Sequence, residues 1–171
     1  MIGKKMQDAL NDQITAEFYS AHLYLSMAAY FESIDLPGAA GWMRTQFQEE
    51  QVHAIKMVDY LIERDGRALI RGFDDPPTEW ESVLDAFKAA YAHEQKVTAL
   101  INGLVDVARA ERDHAAEIFL QWFVNEQVEE EASVKAIIQQ LKMVEGSGGG
   151  MFMIDRELGS RVFTPPASSA A

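Results

Sequence analysis

Apolar residues recur at spacings of three and four along most of the chain, the period of a helix that buries one face. From about residue 4 to 33 two such stripes run side by side. One is Met6, Leu10, Gln13, Glu17, Tyr24 and Phe31; the other is Ile14, Phe18, Ala21, Leu25 and Ala28. A helix that is apolar on two sides is buried on two sides. One side is therefore assigned to the domain core and the other to a partner subunit. Asp35-Leu36-Pro37-Gly38 is a turn signal, with Pro37 placed to open the next helix. That second helix, about 38 to 64, carries Met43, Phe47, Ala54, Met57 and Leu61. A third, about 80 to 109, carries Leu84, Phe87, Tyr91, Val97, Ile101 and Val105. After a short break at Ala110 to Asp113 comes a fourth, about 112 to 145, with Phe119, Phe123, Val134, Ile137, Ile138 and Leu141. Nothing reads as a strand.

Residues 65 to 80 interrupt the pattern with Gly66, Gly72, Pro76 and Pro77, and Thr78 or Ser82 is placed to cap the helix that follows. Extended, this stretch reaches roughly 50 Å at about 3.3 Å per residue. A helix of the second one's length spans roughly 40 Å. The connection is long enough to travel the bundle from end to end, and reads as a crossover joining two helical hairpins. Gly146-Ser147-Gly148-Gly149-Gly150 reads as a flexible hinge, followed by a short apolar helix from Met151 to about Gly159 and a tail containing Phe163-Thr164-Pro165-Pro166. The fold class expected is all-α: a four-helix bundle with one long crossover between the second and third helices and a short fifth C-terminal helix. Residues 1–145 form the bundle, and 146–171 are the hinge, short helix and tail of the same domain.

Each of the four long helices carries a carboxylate in its apolar register. Glu17 lies seven from both Leu10 and Tyr24, Glu50 seven from both Met43 and Met57, and Glu94 seven from both Phe87 and Ile101. Glu130 lies seven after Phe123 and four before Val134, with Gln127 between. In Glu50-Gln51-Val52-His53 the carboxylate and the imidazole stand one turn apart on one face. A single polar residue on a core stripe is usually satisfied by a neighbour or by water. Four carboxylates are different. All lie near mid-helix, and the middles of antiparallel helices meet. Their repulsion in a low dielectric is severe, and the stripes supply no lysine or arginine at that level. The natural counter-charge is metal, about two divalent ions. Oxygen ligands with an imidazole suit iron or manganese, admit zinc, and suit calcium poorly.

Composition narrows the field. The formal net charge is -12 with no basic stripe, which argues against nucleic acid as a partner. Hydrophobic residues make up 48% and charged residues 25%, but no run is long and apolar enough for a membrane span. The absence of cysteine excludes disulfides, thiolate zinc sites, iron–sulfur clusters and a cysteine nucleophile. The N-terminus lacks the apolar core of a signal peptide, and a cytoplasmic location is expected.

Glu17, Glu50-x-x-His53, Glu94 and Gln127-x-x-Glu130, on four long helices with a crossover between the second and third, resemble the bacterial and archaeal non-haem ferritins. The resemblance runs from about residue 5 to the Phe163-Pro166 segment. Where the wider superfamily often has a second Glu-x-x-His on the fourth helix, this chain has Gln127-x-x-Glu130. Bacterioferritin carries its haem methionine where this chain has Gln51, so no haem is expected. Rubrerythrin adds a cysteine-bound iron domain, for which this chain has no ligands.

The resemblance implies iron storage with ferroxidase activity. Glu17, Glu50 and His53 would hold one iron, and Glu50, Glu94 and Glu130 the other, with Glu50 bridging the two in a diiron centre. Gln127 would hydrogen-bond the oxidant, dioxygen or hydrogen peroxide, or water. Tyr24 would stand beside the centre and hydrogen-bond a ligand or supply an electron; spacing alone supports almost as well a core tyrosine bonded to a carboxylate. Glu49, Glu126 and Glu129, with Glu130, would form a third iron site, against the plainer reading of a solvated acidic face. Fe(III) would pass to a ferric oxide mineral inside a homo-oligomeric shell of 24 subunits. Trp122, near the site, and His22, His93 and His114 are assigned to packing or surface. Two rivals stay open. One is a diiron peroxidase or oxidase without storage; the other is a structural bundle whose glutamates are protonated.

Overall fold

The computed structural model describes residues 1–164. Its elements are α1 (Lys4–Ser33), α2 (Pro37–Glu63), α3 (Val83–Ala110), α4 (His114–Met143) and α5 (Gly148–Leu158), with no strand among the described residues. α1 packs against α2 and α3 against α4 as two hairpins, and α1 also meets α3. Among the described residues, no helix is long and apolar enough to cross a membrane.

The crossover runs the length of α1, as its reach requires. Near the start of α1, Gln7 Oε1 accepts the Arg67 amide at 2.9 Å, and Asn11 Oδ1 accepts the Leu69 amide at 2.6 Å. Midway, Phe73 packs edge-on against Tyr19 and His22. Near its end, Ser26 and Tyr30 donate to the carbonyls of Pro77 and Trp80 at 2.6 and 2.9 Å. Polar side chains on the outer face of α1 thus satisfy backbone that no regular structure pairs.

This packing corrects the assignment of the second α1 stripe to a partner subunit. Ile14, Ala21 and Ala28 are buried within the chain itself, and only Leu25 is left exposed, with Phe18 half-buried. α1 has α2, α3 and the crossover as neighbours, so its own chain covers most of the second stripe and leaves Leu25 open.

The glycine hinge is also corrected. Gly148, Gly149 and Gly150 form the first turn of α5, because Ser147 Oγ accepts the Gly150 amide at 3.1 Å and caps the helix. The turn is confined to the residues before it, where Gly146 takes a left-handed φ of 77°. Pro165, Pro166 and the rest of the tail lie outside the described residues.

α5 has a defined role at the head of α2. Leu36 precedes that helix and has no side-chain acceptor to offer, while Pro37 lacks an N–H. The Asp155 carboxylate, buried on α5, accepts the Ala39 amide at 2.8 Å instead. The two backbones approach so closely that a Cβ on Gly38 would overlap the Asp155 carbonyl.

The core falls into two apolar clusters. One gathers Tyr24, Met27, Phe31, Met43, Phe87, Val134 and Ile138; the other gathers Met6, Leu10, Ile14, Met57, Leu61, Ile101 and Phe123. Every long helix crosses from one cluster to the other. The residues at the crossing level are polar.

Asp155→Ala removes the cap of α2 and is expected to cost about 1 kcal/mol. Gly38→Ala forces α5 away and is expected to cost about 1–3 kcal/mol. Guanidinium unfolding midpoints of the two variants check both values, and an unchanged midpoint for Gly38→Ala would disprove the close docking.

Candidate metal centre

The polar level between the clusters holds Glu17, Glu50, His53, Glu94, Gln127 and Glu130, all buried, together with Gln13, Ser20 and Gln46. The carboxylates come one from each long helix because each sits in the register of its buried stripe. Glu17, Glu50 and His53 each offer an atom lying within 4.8 Å of those of the other two. His53 Nδ1 stands 3.4 Å from Glu50 Oε2. Its ring is oriented edge-on against Trp122 and Phe123, at centroid distances of 5.4 and 6.0 Å.

Three glutamines order this layer. Gln13 donates to Glu17 Oε1 at 2.8 Å, Gln46 to Glu130 Oε2 at 2.8 Å, and Gln127 to Glu94 Oε2 at 3.1 Å. Glu50 receives no such bond. Tyr24, fully buried, donates its phenol to Glu94 Oε1, reaching across to α3 as a core tyrosine bonded to a carboxylate of the layer. Gln127 also donates to the Glu94 carbonyl and to Thr98 Oγ1, both at 3.3 Å.

Burial holds the Glu17 carboxyl well above its ordinary range, and the nearby Glu50 charge pushes the same way. Burial also raises Glu50, with the Glu94 charge next in importance. Glu94 is raised by burial and then by Glu130. The Tyr24 phenol is pushed up by burial and by Glu94, so it keeps its proton and remains a donor.

Glu17 Oε2 and Glu50 Oε2 are buried without a hydrogen-bond partner. Buried acceptors are rarely left so, and a cation between them would satisfy both at once. Hard oxygen donors with one imidazole fit a divalent iron, manganese or zinc ion. Among the described residues, Glu17, Glu50 and His53 form the tightest such set. Glu94 and Glu130 complete the level, each with one oxygen held by an amide.

The second acidic set is less assembled. Glu129 is exposed, Glu126 half-buried, and Glu49 pairs with Arg161 at 2.6 Å. The Glu49 carboxyl is raised to about 7 by burial, against the lowering effect of Arg161. Glu49, His53, Trp122 and Glu126, with Phe163 and Thr164 from the tail, line an open cavity of about 220 Å³. Arg161 brings a basic group to this second acidic set from outside the stripes of the long helices. It lies beyond α5 in sequence, where the stripes of the long helices carry no sign of it. Gln46 was legible as a polar residue among Trp42, Met43 and Phe47; its partner on α4 was not. His93 packs as expected, bonding Ser20 at 2.8 Å, and burial lowers it to about 4, with Lys96 adding to the effect.

Residues 7–144 match the family model described as Ferritin-like domain. The chain belongs to the ferritin family. It is 46% identical over 161 residues to a bacterial non-heme ferritin of Bacteroides fragilis, covering 94% of this chain and all of that one. A bacterial non-heme ferritin of Staphylococcus aureus is 36% identical, over 95% of this chain and 98% of its own. Among solved structures, the open pore ferritin of the hyperthermophilic archaeon Archaeoglobus fulgidus superposes with a TM-score of 0.94 at 49% identity, covering 95% of this chain and all of the other. The ferritin match spans all four long helices, so the four-helix fold and its crossover are those of the family.

The raised carboxyls give a pH dependence of known sign. In the metal-free state the folded chain holds more protons than the unfolded one. The stability this contributes is fully present below the ordinary 4.5 and is lost as pH rises toward about 7, where Glu94 titrates. A bound divalent ion replaces those protons. The rise in unfolding midpoint produced by Zn(II) should therefore grow between about pH 5 and about pH 7, and grow less in Glu50→Gln. An equal rise at both pH values would contradict this.

Proposed function

We propose that the protein stores iron in the cytoplasm, with Fe(II) as substrate of a ferroxidase reaction at the buried carboxylate layer. The observation that carries this reading is the pair of unpartnered buried oxygens, Glu17 Oε2 and Glu50 Oε2, beside His53 in a ferritin-family chain. Glu17, Glu50 and His53 hold one Fe(II), and Glu50, Glu94 and Glu130 hold the other. Glu50 takes the bridging role because no amide ties it down, so both of its oxygens are free to face cations. Iron supplies the electrons, two from a pair of Fe(II) ions, and dioxygen or hydrogen peroxide accepts them.

The chain's own groups do the rest. Gln13 and Gln46 fix one oxygen each of Glu17 and Glu130 and leave the other to turn toward metal, while Gln127 and Tyr24 hold one Glu94 oxygen each, so Glu94 takes metal by yielding or sharing one of those bonds. Tyr24 keeps a proton on its phenol and holds Glu94. Gln127, already committed to Glu94 and Thr98, acts on the oxidant only by giving up one of those bonds. The two apolar clusters keep bulk water from the layer. Glu49, Glu126 and Glu129, with Glu130, form a third iron site on the way to the mineral.

Storage needs an enclosed volume that a single bundle lacks. The exposed Leu25, Ile62, Ile118 and Val128 supply apolar surface for subunit contact, and the reading is a shell of 24 subunits with no haem.

Aerobic loading with a large excess of Fe(II), followed by particle size and iron per particle, tests storage. A hollow particle holding far more than two or three irons per chain is expected. A small oligomer that stops at about two irons per chain would favour a non-storage diiron oxidase or peroxidase. Separately, Glu50→Ala and His53→Ala should each abolish fast Fe(II) oxidation, by about a hundredfold or more, with helix content unchanged. Full activity in both variants would remove the site assignment.

A further inference from the structure

Arg161 follows the short Gly159-Ser160 turn at the end of α5 and reaches back over α2. It makes three contacts there. Nη2 donates to Glu49 Oε2 at 2.6 Å, Nη1 donates to Gln46 Oε1, and the guanidinium lies 4.5 Å from the Trp42 ring centroid. Trp42, Gln46 and Glu49 are spaced four and three apart, so they form a single stripe of α2 beside the one that carries Glu50 and His53. A planar fork with an aromatic floor and two acceptors is a built seat for a guanidinium. α5 is held against the head of α2 through Asp155 and Gly38, so the helix that carries the seat also anchors the residue that fills it.

We propose that Arg161 is the resident cation of the third site: it holds Glu49 while no metal is there, and a metal ion must displace it to enter. This rests on reading Glu49, Glu126 and Glu129, with Glu130, as that site. Glu49 cannot give the same oxygen to a metal ion and to the guanidinium at once. The displacement has a second effect. While Arg161 occupies the Gln46 carbonyl, the amide nitrogen faces Glu130, which it holds at 2.8 Å. When Arg161 leaves, the amide is free to turn and Glu130 loses its tether. Glu130 belongs to both the diiron pair and the third site, so a cation arriving at Glu49 loosens the carboxylate that joins the two. Arg161 is thus a positioning residue, acting on metal through Glu49 and Gln46.

The test is an anaerobic calorimetric titration of the assembled protein with Zn(II), followed in parallel by tryptophan emission. The wild type should bind a third equivalent per chain more weakly than the first two, with an emission change at that step that Trp42→Phe removes. Arg161→Gln should bind the third equivalent about tenfold more tightly, the scale of one lost charge-assisted bond, and without the emission change. A third equivalent that appears only in Arg161→Gln supports the proposal equally. Arg161→Lys, which keeps the charge without the fork, should fall between. Unchanged or weaker third-site binding in Arg161→Gln, with Glu49→Gln still abolishing it, overturns the proposal and leaves the third site standing. No third equivalent in either wild type or Arg161→Gln overturns both.

Discussion

Four buried carboxylates on four helices are the constraint on which the rest of the structure depends. Two unit charges 4 Å apart at an effective dielectric near 20 repel by about 4 kcal/mol. A hydrogen bond to a charged group returns about 1.5–3 kcal/mol. Three glutamine amides and one phenol therefore soften the layer without neutralising it. Protons serve in acid, which is why burial lifts Glu17, Glu50 and Glu94. Near neutral pH a divalent cation compensates better, because it meets several carboxylates at once. The apolar clusters above and below supply the burial that makes the layer costly when empty of cations and selective when they are present.

The distribution of amides gives the layer an order. Glu17 and Glu130 each have one oxygen fixed by an amide, Glu94 has one held by an amide and the other by the Tyr24 phenol, and Glu50 has none fixed. A ligand whose second oxygen is pinned can serve one ion well. A ligand that is not pinned can serve two and can change which it serves. Passage of substrate iron through this layer, as proposed, would use both kinds, held ligands to define the positions and a free one to let occupants come and go.

Much of this was written in the sequence, because the relevant signals are local. Helical period, the Pro37 start and the Ser82 cap are properties of a few neighbouring residues, and the helices begin and end within a few residues of where these signals put them. Glu17, Glu50, Glu94 and Glu130 were legible because a charge inside an apolar stripe is visible in the stripe itself. What the sequence hid was long-range. Asp155 caps a helix that begins more than a hundred residues earlier, and Arg161 seats on α2 from beyond α5; neither shows a pattern on its own element. The glycine run misled for the same reason. Its composition says hinge, and the neighbouring serine cap overrides it. The second α1 stripe misled because spacing reports that a face is covered and not by whom.

α5 then takes on a meaning that its length does not suggest. It adds little to the bundle core, contributing mainly Ile154 and Leu158. Yet it caps the head of α2 through Asp155 and delivers Arg161 to a point about three turns further along the same helix, roughly a turn before His53. Both attachments bear on the one helix that supplies two of the proposed ligands, Glu50 and His53, from adjacent turns. A shift of α2 along its axis by one residue would turn Glu50 and His53 by about 100° out of the layer. Fixing the head of α2 against α5, and its middle against the guanidinium, opposes that slip at two points. The short helix is best understood as the part that sets where α2 stands, and through it the geometry of the whole carboxylate layer.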